Sequence, residues 1–323
     1  MWDVVIQSCW ELCDLIGSRE LMGGSLSEEE IKDRYELVGG IPRYIFQSKA
    51  EIDVTLRNQK VAINTLTEEQ ITKLTFDKID STQTFKSGEP KSVIMVYKCP
   101  NNNFADYTVA VASRNVAKIL VETKIELLWN TIVNQSGTRG STAWQLFEIY
   151  CQRRMTKEYS TQYFEVKFHD GTRLTVLDGS LQLGNCTSIK ATSTSLIDAA
   201  KQWGNENVLF YSLDSRYPLY DFIYRENKTL FAFQVTTGED HTCTPSQLKA
   251  AVEENGDDYE FLLHYLTFDE QYKNFKLKPV NPFKGGKNGL AVKSVLTNNW
   301  TIKVIRMISP NERSEGPQNV WTK

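Results

Sequence analysis

No nucleotide-binding signature occurs in these 323 residues. A G-x-x-x-x-G-K-S/T loop and a G-x-G-x-x-G turn are both missing, and Gly285-Gly286-Lys287 lacks the upstream glycine spacing. Without the backbone cradle those loops provide, this chain is not expected to hold or hydrolyse a nucleotide. Thiolate metal chemistry lacks its spacing too. The six cysteines form no C-x-x-C pair and the three histidines stand near no paired thiols, so neither a zinc site nor a disulfide framework is read, and a reducing compartment is expected. No run approaches about 18 consecutive apolar residues, so no membrane span is expected. A surplus of positive charge is absent: 37 Lys and Arg face 40 Asp and Glu, for a net charge of −3. That excludes binding of nucleic acid by bulk charge, though not by a local basic groove. What is present, 41% hydrophobic and 24% charged residues, is ordinary globular composition, with length for roughly two domains.

The first 80 residues read mostly as helix. Ser25-Leu26-Ser27 before Glu28 to Glu30 has the form of an N-cap with an acidic first turn. Gly39-Gly40-Ile41-Pro42 then stops one helix and starts the next. Val93 to Tyr97 and Tyr107 to Ala112 read as strands. Asn115 to Val133 reads as a long helix, and Ser141 as the cap of another reaching Met155. From there the pattern turns to β, with Phe164, Val166 and Phe168 alternating before an Asp170-Gly171 hairpin turn. Helices over Ser195 to Gln202 and Pro245 to Glu254 interleave with strands over Leu219 to Tyr224, Thr229 to Thr236, Phe261 to Thr267 and Trp300 to Ile308. The fold class expected is α+β or α/β.

The chemistry-bearing residues converge on one hairpin. If Arg225 to Lys228 form a four-residue loop, Tyr224 pairs with Thr229 and Asp221 falls opposite Ala232. Asp221 and Gln234 then become diagonal neighbours on one face, about 7–8 Å apart. Two oxygen ligands at that separation can share one Mg²⁺. Glu148 lies at the edge of the apolar stripe Trp144, Phe147, Cys151 and Met155, so its carboxylate points inward and needs a partner. Each residue also has a plainer reading: Asp221 as a turn residue, Gln234 as an amide paired with backbone, Glu148 as the partner of Arg153 or Arg154.

Several segments, taken in order, resemble the Crinkler and retrotransposon hot spot protein family, which carries a PD-(D/E)xK nuclease core. Gly39-Gly40-Ile41-Pro42-Arg43-Tyr44-Ile45 is similar to the G-G-x-P-R segment of its ATPase lid. Gly140-Ser141 with Leu146-Phe147-Glu148 resembles the opening of its nuclease helix. Asp221, then Phe233-Gln234-Val235-Thr236 with His241 beyond, looks like its D…(E/Q)-x-(K/T)…H stretch, and Tyr259 to Phe268 its last strand. The resemblance implies residues 1–112 as a remnant of an AAA/STAND-type ATPase lid and 113–323 as a nuclease domain with a restriction-endonuclease-like mixed sheet flanked by helices. It implies a Mg²⁺- or Mn²⁺-dependent DNA endonuclease of the effector type, acting in a nucleus, with a host nuclear protein as a further partner. Glu148, Asp221 and Gln234 carry over as metal ligands, and Thr236 and His241 as further site residues. Thr236 stands where the usual motif has lysine, and Gln234 replaces an acid. Both changes lower the positive and negative charge available for catalysis, which keeps open a catalytically silent nuclease fold that binds DNA or a host protein. Lys249, on the following helix, is a candidate substitute for the missing lysine and equally an exposed helix lysine.

A basic run supports a nucleic-acid partner separately. Between Gln271 and Asn311 there is no acidic residue, while Lys273, Lys276, Lys278, Lys284, Lys287, Lys293, Lys303 and Arg306 give +8. Tyr272, Phe275, Phe283 and Trp300 interleave them. Such a stretch can follow a phosphate backbone, or stand as a solvated loop that merely lacks acids.

Overall fold

A computed structural model describes residues 10–22, 24–68, 70–71, 95–98, 108–134, 142–156, 165–169, 174–180, 186–191, 195–203, 208–211, 219–236, 240–241, 245–256, 259–268, 276–277 and 300–307. The chain divides into two compact units, Met1–Ile149 and Tyr150–Lys323.

The first unit is largely helical: α1 (Leu12–Ser18), α2 (Glu28–Val38), α3 (Pro42–Ile45), α4 (Lys49–Asn64), a hairpin of β1 (Met95–Lys98) and β2 (Thr108–Val111), then α5 (Arg114–Asn134). The next helix, α6 (Thr142–Met155), contains the boundary between units. Local chemistry sets these helix starts. Ser27 Oγ accepts from Glu30 N–H and Glu30 Oε2 accepts from Ser27 N–H, a capping box that meets two otherwise orphaned donors. Ser48 and Glu51 repeat the device at α4. Leu15, Ile31, Val38, Ile45 and Ile52 form the core that these helices share.

Gly39 ends α2 with φ +79°. A Cβ placed there would lie 1.7 Å from the carbonyl oxygen of Ala112, so only glycine lets the two backbones approach. Ser113 Oγ donates to Leu37 O across 2.9 Å while accepting from Val116 N–H, tying the end of α2 to the start of α5. The Gly39-Gly40 pair is thus a packing joint. Arg43 lies exposed beside it, its guanidinium over the Tyr44 ring.

The second unit is built on an eight-stranded mixed sheet. Its strands are β3 (Glu165–His169), β4 (Leu174–Ser180), β5 (Thr187–Lys190), β6 (Val208–Tyr211), β7 (Phe222–Glu226), β8 (Thr229–Val235), β10 (Glu260–Thr267) and β12 (Trp300–Arg306), in the order β4-β3-β12-β10-β8-β7-β6-β5. A two-stranded ribbon pairs β9 (Asp240–His241) with β11 (Lys276–Leu277). Strands β6, β7 and β8 form an antiparallel meander, and α8 (Pro245–Asn255) carries the chain from β8 to its parallel neighbour β10. Likewise α7 (Leu196–Gln202) links the parallel pair β5 and β6. Parallel neighbours need such helical crossovers. The α+β expectation therefore holds. The β5 and β6 strands were not foreseen from sequence.

One face of the sheet packs Ile223, Leu230, Ala232, Phe261, Leu263 and Tyr265 against Leu196, Ile197 and Ala200 of α7 and Ala251 of α8. The other face stacks Phe222 on Phe233, with His264 5.1 Å from Phe233. Burial on both faces explains why β8 reads as a nearly continuous apolar run.

The hairpin register differs from the sequence expectation. Glu226 pairs with Thr229, leaving a two-residue turn at Asn227-Lys228, and Asn227 has φ +52°. Asparagine tolerates that left-handed conformation, so the turn closes more tightly than a four-residue loop. Ala232 faces Ile223, not Asp221. Because the shift is an even two residues, every side chain keeps its expected face.

Candidate functional site

Parallel strands β6, β8, β10 and β12 all end at one edge of the sheet, where antiparallel β7 begins. Open sheets with helical crossovers bind ligands outside such carboxyl ends. Asp221 stands immediately before β7 and Gln234 near the end of β8, so both lie at that edge. With the corrected register they are direct neighbours. Gln234 Nε2 donates to Asp221 Oδ2 across 2.9 Å. The same oxygen accepts the Val235 N–H at 2.7 Å, and Asp221 N–H donates to Phe233 O at 2.7 Å.

The pairing fixes the amide's orientation. Turning Gln234 over would set its Oε1 against a carboxylate oxygen, so Nε2 faces Asp221 and Oε1 faces away. Gln234 is 1% exposed, and its Oε1 has no hydrogen-bond partner among the described residues. A buried acceptor left unpaired costs about 1–3 kcal/mol unless something meets it. A cation or its water is a suitable partner for a hard amide oxygen beside a carboxylate, and Mg²⁺ is commonly held by one or two carboxylates completed by water and substrate phosphate. The donor set fits a divalent ion on those terms. It offers a single full charge, and among the described residues no group of three or more His, Cys, Asp or Glu side chains gathers at one place.

Thr236 follows on the same face, buried, with its N–H donating to Leu266 O at 2.9 Å. His241 belongs to the β9 ribbon, paired with Leu277; its side chain lies outside the described residues, as does that of Lys249. Lys276 contributes backbone to β11. Lys273, Lys278, Lys284 and Lys287, together with Ser141 and the Asp170-Gly171 turn, lie outside the described residues.

Glu148 lies on the first-unit side of the boundary. Its Oε1 accepts from Arg114 at 3.1 Å, both side chains being largely buried. The inward carboxylate of the α6 stripe therefore meets a guanidinium contributed by α5, a partner 34 positions away in the chain.

A second polar cluster clamps the two helices of the sheet's packed face. Ser195 caps α7 and its Oγ also donates to Glu254 Oε1, while Tyr220 OH donates to Glu254 Oε2 at 3.3 Å and Lys201 Nζ to the Glu254 carbonyl at 2.6 Å. Burial, then the charge of Asp198, pushes the Glu254 carboxyl above its ordinary value. Arg225 Nη1 donates to the carbonyls of Ala200 and Lys201, closing the other end of α7. These contacts hold α7 and α8 over the strands that carry Asp221 and Gln234.

No protein-family model, curated protein or solved structure matches this chain. Among the described residues, no helix is long and apolar enough to cross a membrane.

Proposed function

We propose that this chain is a divalent-cation-dependent phosphodiesterase acting on DNA, with a restriction-endonuclease-like core of the Crinkler effector type. The observation that carries the reading is the Asp221–Gln234 pair at the carboxyl edge of the sheet, with a buried Gln234 Oε1 that no group among the described residues satisfies. The meander β6-β7-β8, the crossover helix α8 and the parallel strand β10 are consistent with the mixed, helix-flanked sheet that the resemblance implies.

In this reading Asp221 holds Mg²⁺ or Mn²⁺ directly and Gln234 Oε1 holds it through a bound water; the ion when bound polarises the scissile phosphate and lowers the pKa of its water. The Val235 N–H fixes one Asp221 oxygen, orienting the carboxylate. Thr236 supplies a hydroxyl where a lysine's charge would otherwise favour the transition state. The basic run from Lys273 to Arg306 is assigned to following the phosphate backbone. Action in a nucleus, on DNA alone or with a host nuclear protein, follows from the resemblance.

The test is supercoiled plasmid with the purified chain and Mg²⁺. Nicking that is lost with chelator and in Asp221→Asn supports the reading; nicking that Asp221→Asn retains rejects it. A second reading has its own observation: Glu148 is paired with Arg114, and the Asp221–Gln234 pair itself brings a single full charge. That favours a silent nuclease fold that binds DNA, which would show salt-sensitive retention of DNA without cleavage and without response to cation.

A further inference from the structure

Apart from Gln234, the sheet's packed face has a second orphaned polar atom at the same edge. Thr267, the last residue of β10, is fully buried and its Oγ1 has no hydrogen-bond partner among the described residues. Strand alternation puts it with Phe261, Leu263 and Tyr265, which pack against α7 and α8, on the face shared by Ala232 and Gln234. The β8–β10 register pairs Leu266 with Val235, so Thr267 falls beside Thr236, one step past Gln234 on that face. The Cα separation of Thr267 from Gln234 is then about 8 Å, beyond direct hydrogen bonding by a threonine but suited to a bridging species. Two buried polar atoms on adjacent strands, with no partner among the described residues and a carboxylate beside one of them, are costly unless water or a hydrated ion meets them.

We propose that Thr267 is a positioning residue of the Asp221–Gln234 site, its hydroxyl holding a water in the shell of a divalent cation. The proposal rests on the cation reading given above. Mg²⁺ and Mn²⁺ keep several waters, and a group that orients such a water contributes to affinity without touching the ion. A hydroxyl suits this role because it donates to one water and accepts from another. Thr267 Oγ1, Gln234 Oε1 and the Asp221 carboxylate together make an all-oxygen set, which favours Mg²⁺ or Mn²⁺ over zinc or copper.

The test uses Thr267→Val, which keeps the shape and removes the hydroxyl, and Thr267→Ser, which keeps the hydroxyl. Mn²⁺ binding to the full chain is followed by electron paramagnetic resonance, and Tm is measured in chelator. Thr267→Val is expected to weaken Mn²⁺ binding by about 10-fold, with Thr267→Ser close to wild type. In chelator, Thr267→Val should unfold at or above the wild-type temperature, since it removes an unpaired hydroxyl. If Thr267→Val binds Mn²⁺ as wild type does while Asp221→Asn does not, the role of Thr267 is overturned and the cation reading stands. A Tm in chelator that falls in Thr267→Val and recovers in Thr267→Ser overturns it equally, by showing a hydrogen bond that supports the fold alone. Wild-type chain showing no Asp221-dependent Mn²⁺ binding overturns both.

Discussion

Gln234 gives its amide N–H to Asp221 Oδ2 across 2.9 Å, and that bond decides where the remaining amide oxygen points. Replacing the amide by a carboxylate tests the arrangement. Gln234→Glu would set a buried carboxylate at hydrogen-bond distance from the half-buried Asp221 carboxylate, and each would raise the other's pKa. Without cation at neutral pH, the loss is expected to be about 3 kcal/mol. Raised carboxyl pKa values mean that stability is lost as pH rises, so the variant should recover toward pH 5. Millimolar Mg²⁺ should restore it at neutral pH. Thermal unfolding with and without Mg²⁺ measures both effects.

The Gly39 joint supports a separate prediction in the first unit. Alanine at φ +79° is strained before any contact is counted, and its methyl would run into the Ala112 carbonyl. Gly39→Ala should destabilise the helical unit by about 3 kcal/mol or more. Hydrogen exchange should accelerate across α2 and α5 and remain unchanged in β8 and β10.

Glu254 carries a pH signature. Burial and the Asp198 charge raise its carboxyl pKa above the ordinary 4.5, against the opposing pull of Tyr220 and Lys201. The folded chain therefore holds this proton more tightly than the unfolded chain. Stability is greatest below the unfolded value, falls as pH rises through the folded value, and is level above it. Glu254→Gln keeps one acceptor, for Ser195, while its NH2 donates to the Tyr220 hydroxyl, and it should raise Tm at pH 7. The gain should stay below about 1 kcal/mol, because the group is partly solvated. Below pH 4 the difference from wild type should vanish.

Thiol labelling separates the cysteines. Cys186 is buried, its Sγ donates to Met155 O at 3.1 Å, and burial pushes its thiol up to about 12. Cys13 is exposed. Iodoacetamide at pH 8, with peptide mass mapping, should modify Cys13 and leave Cys186 untouched until the chain is unfolded, because the thiolate is the reacting form.

Local chemistry made much of the fold legible. Ser27 with Glu30 and Ser195 mark helix starts through contacts within three residues, Pro42 marks one through its fixed φ, and all three sit where the sequence places them. Thr142 to Met155 is likewise helical over its expected length. Longer-range relations were less readable. The β6 strand is four residues, all buried, so it has no alternation to announce it. The hairpin register turned on whether Asn227 adopts a left-handed conformation, which spacing does not reveal. Its faces were legible because an even slip preserves them. Glu148 finds Arg114 on another helix, while the sequence offered Arg153 and Arg154 on its own. Thr267 escaped notice as one hydroxyl ending an apolar strand; the available signal was its parity with Phe261, Leu263 and Tyr265.

The central claim is that Asp221 and Gln234 seat a divalent cation, and anomalous scattering from crystals soaked in MnCl₂ tests it most directly. The account predicts a manganese peak about 2.1 Å from an Asp221 carboxylate oxygen, reaching Gln234 Oε1 through a bound water and absent in crystals of Asp221→Asn. Manganese elsewhere on the molecule with none between these two side chains would contradict it.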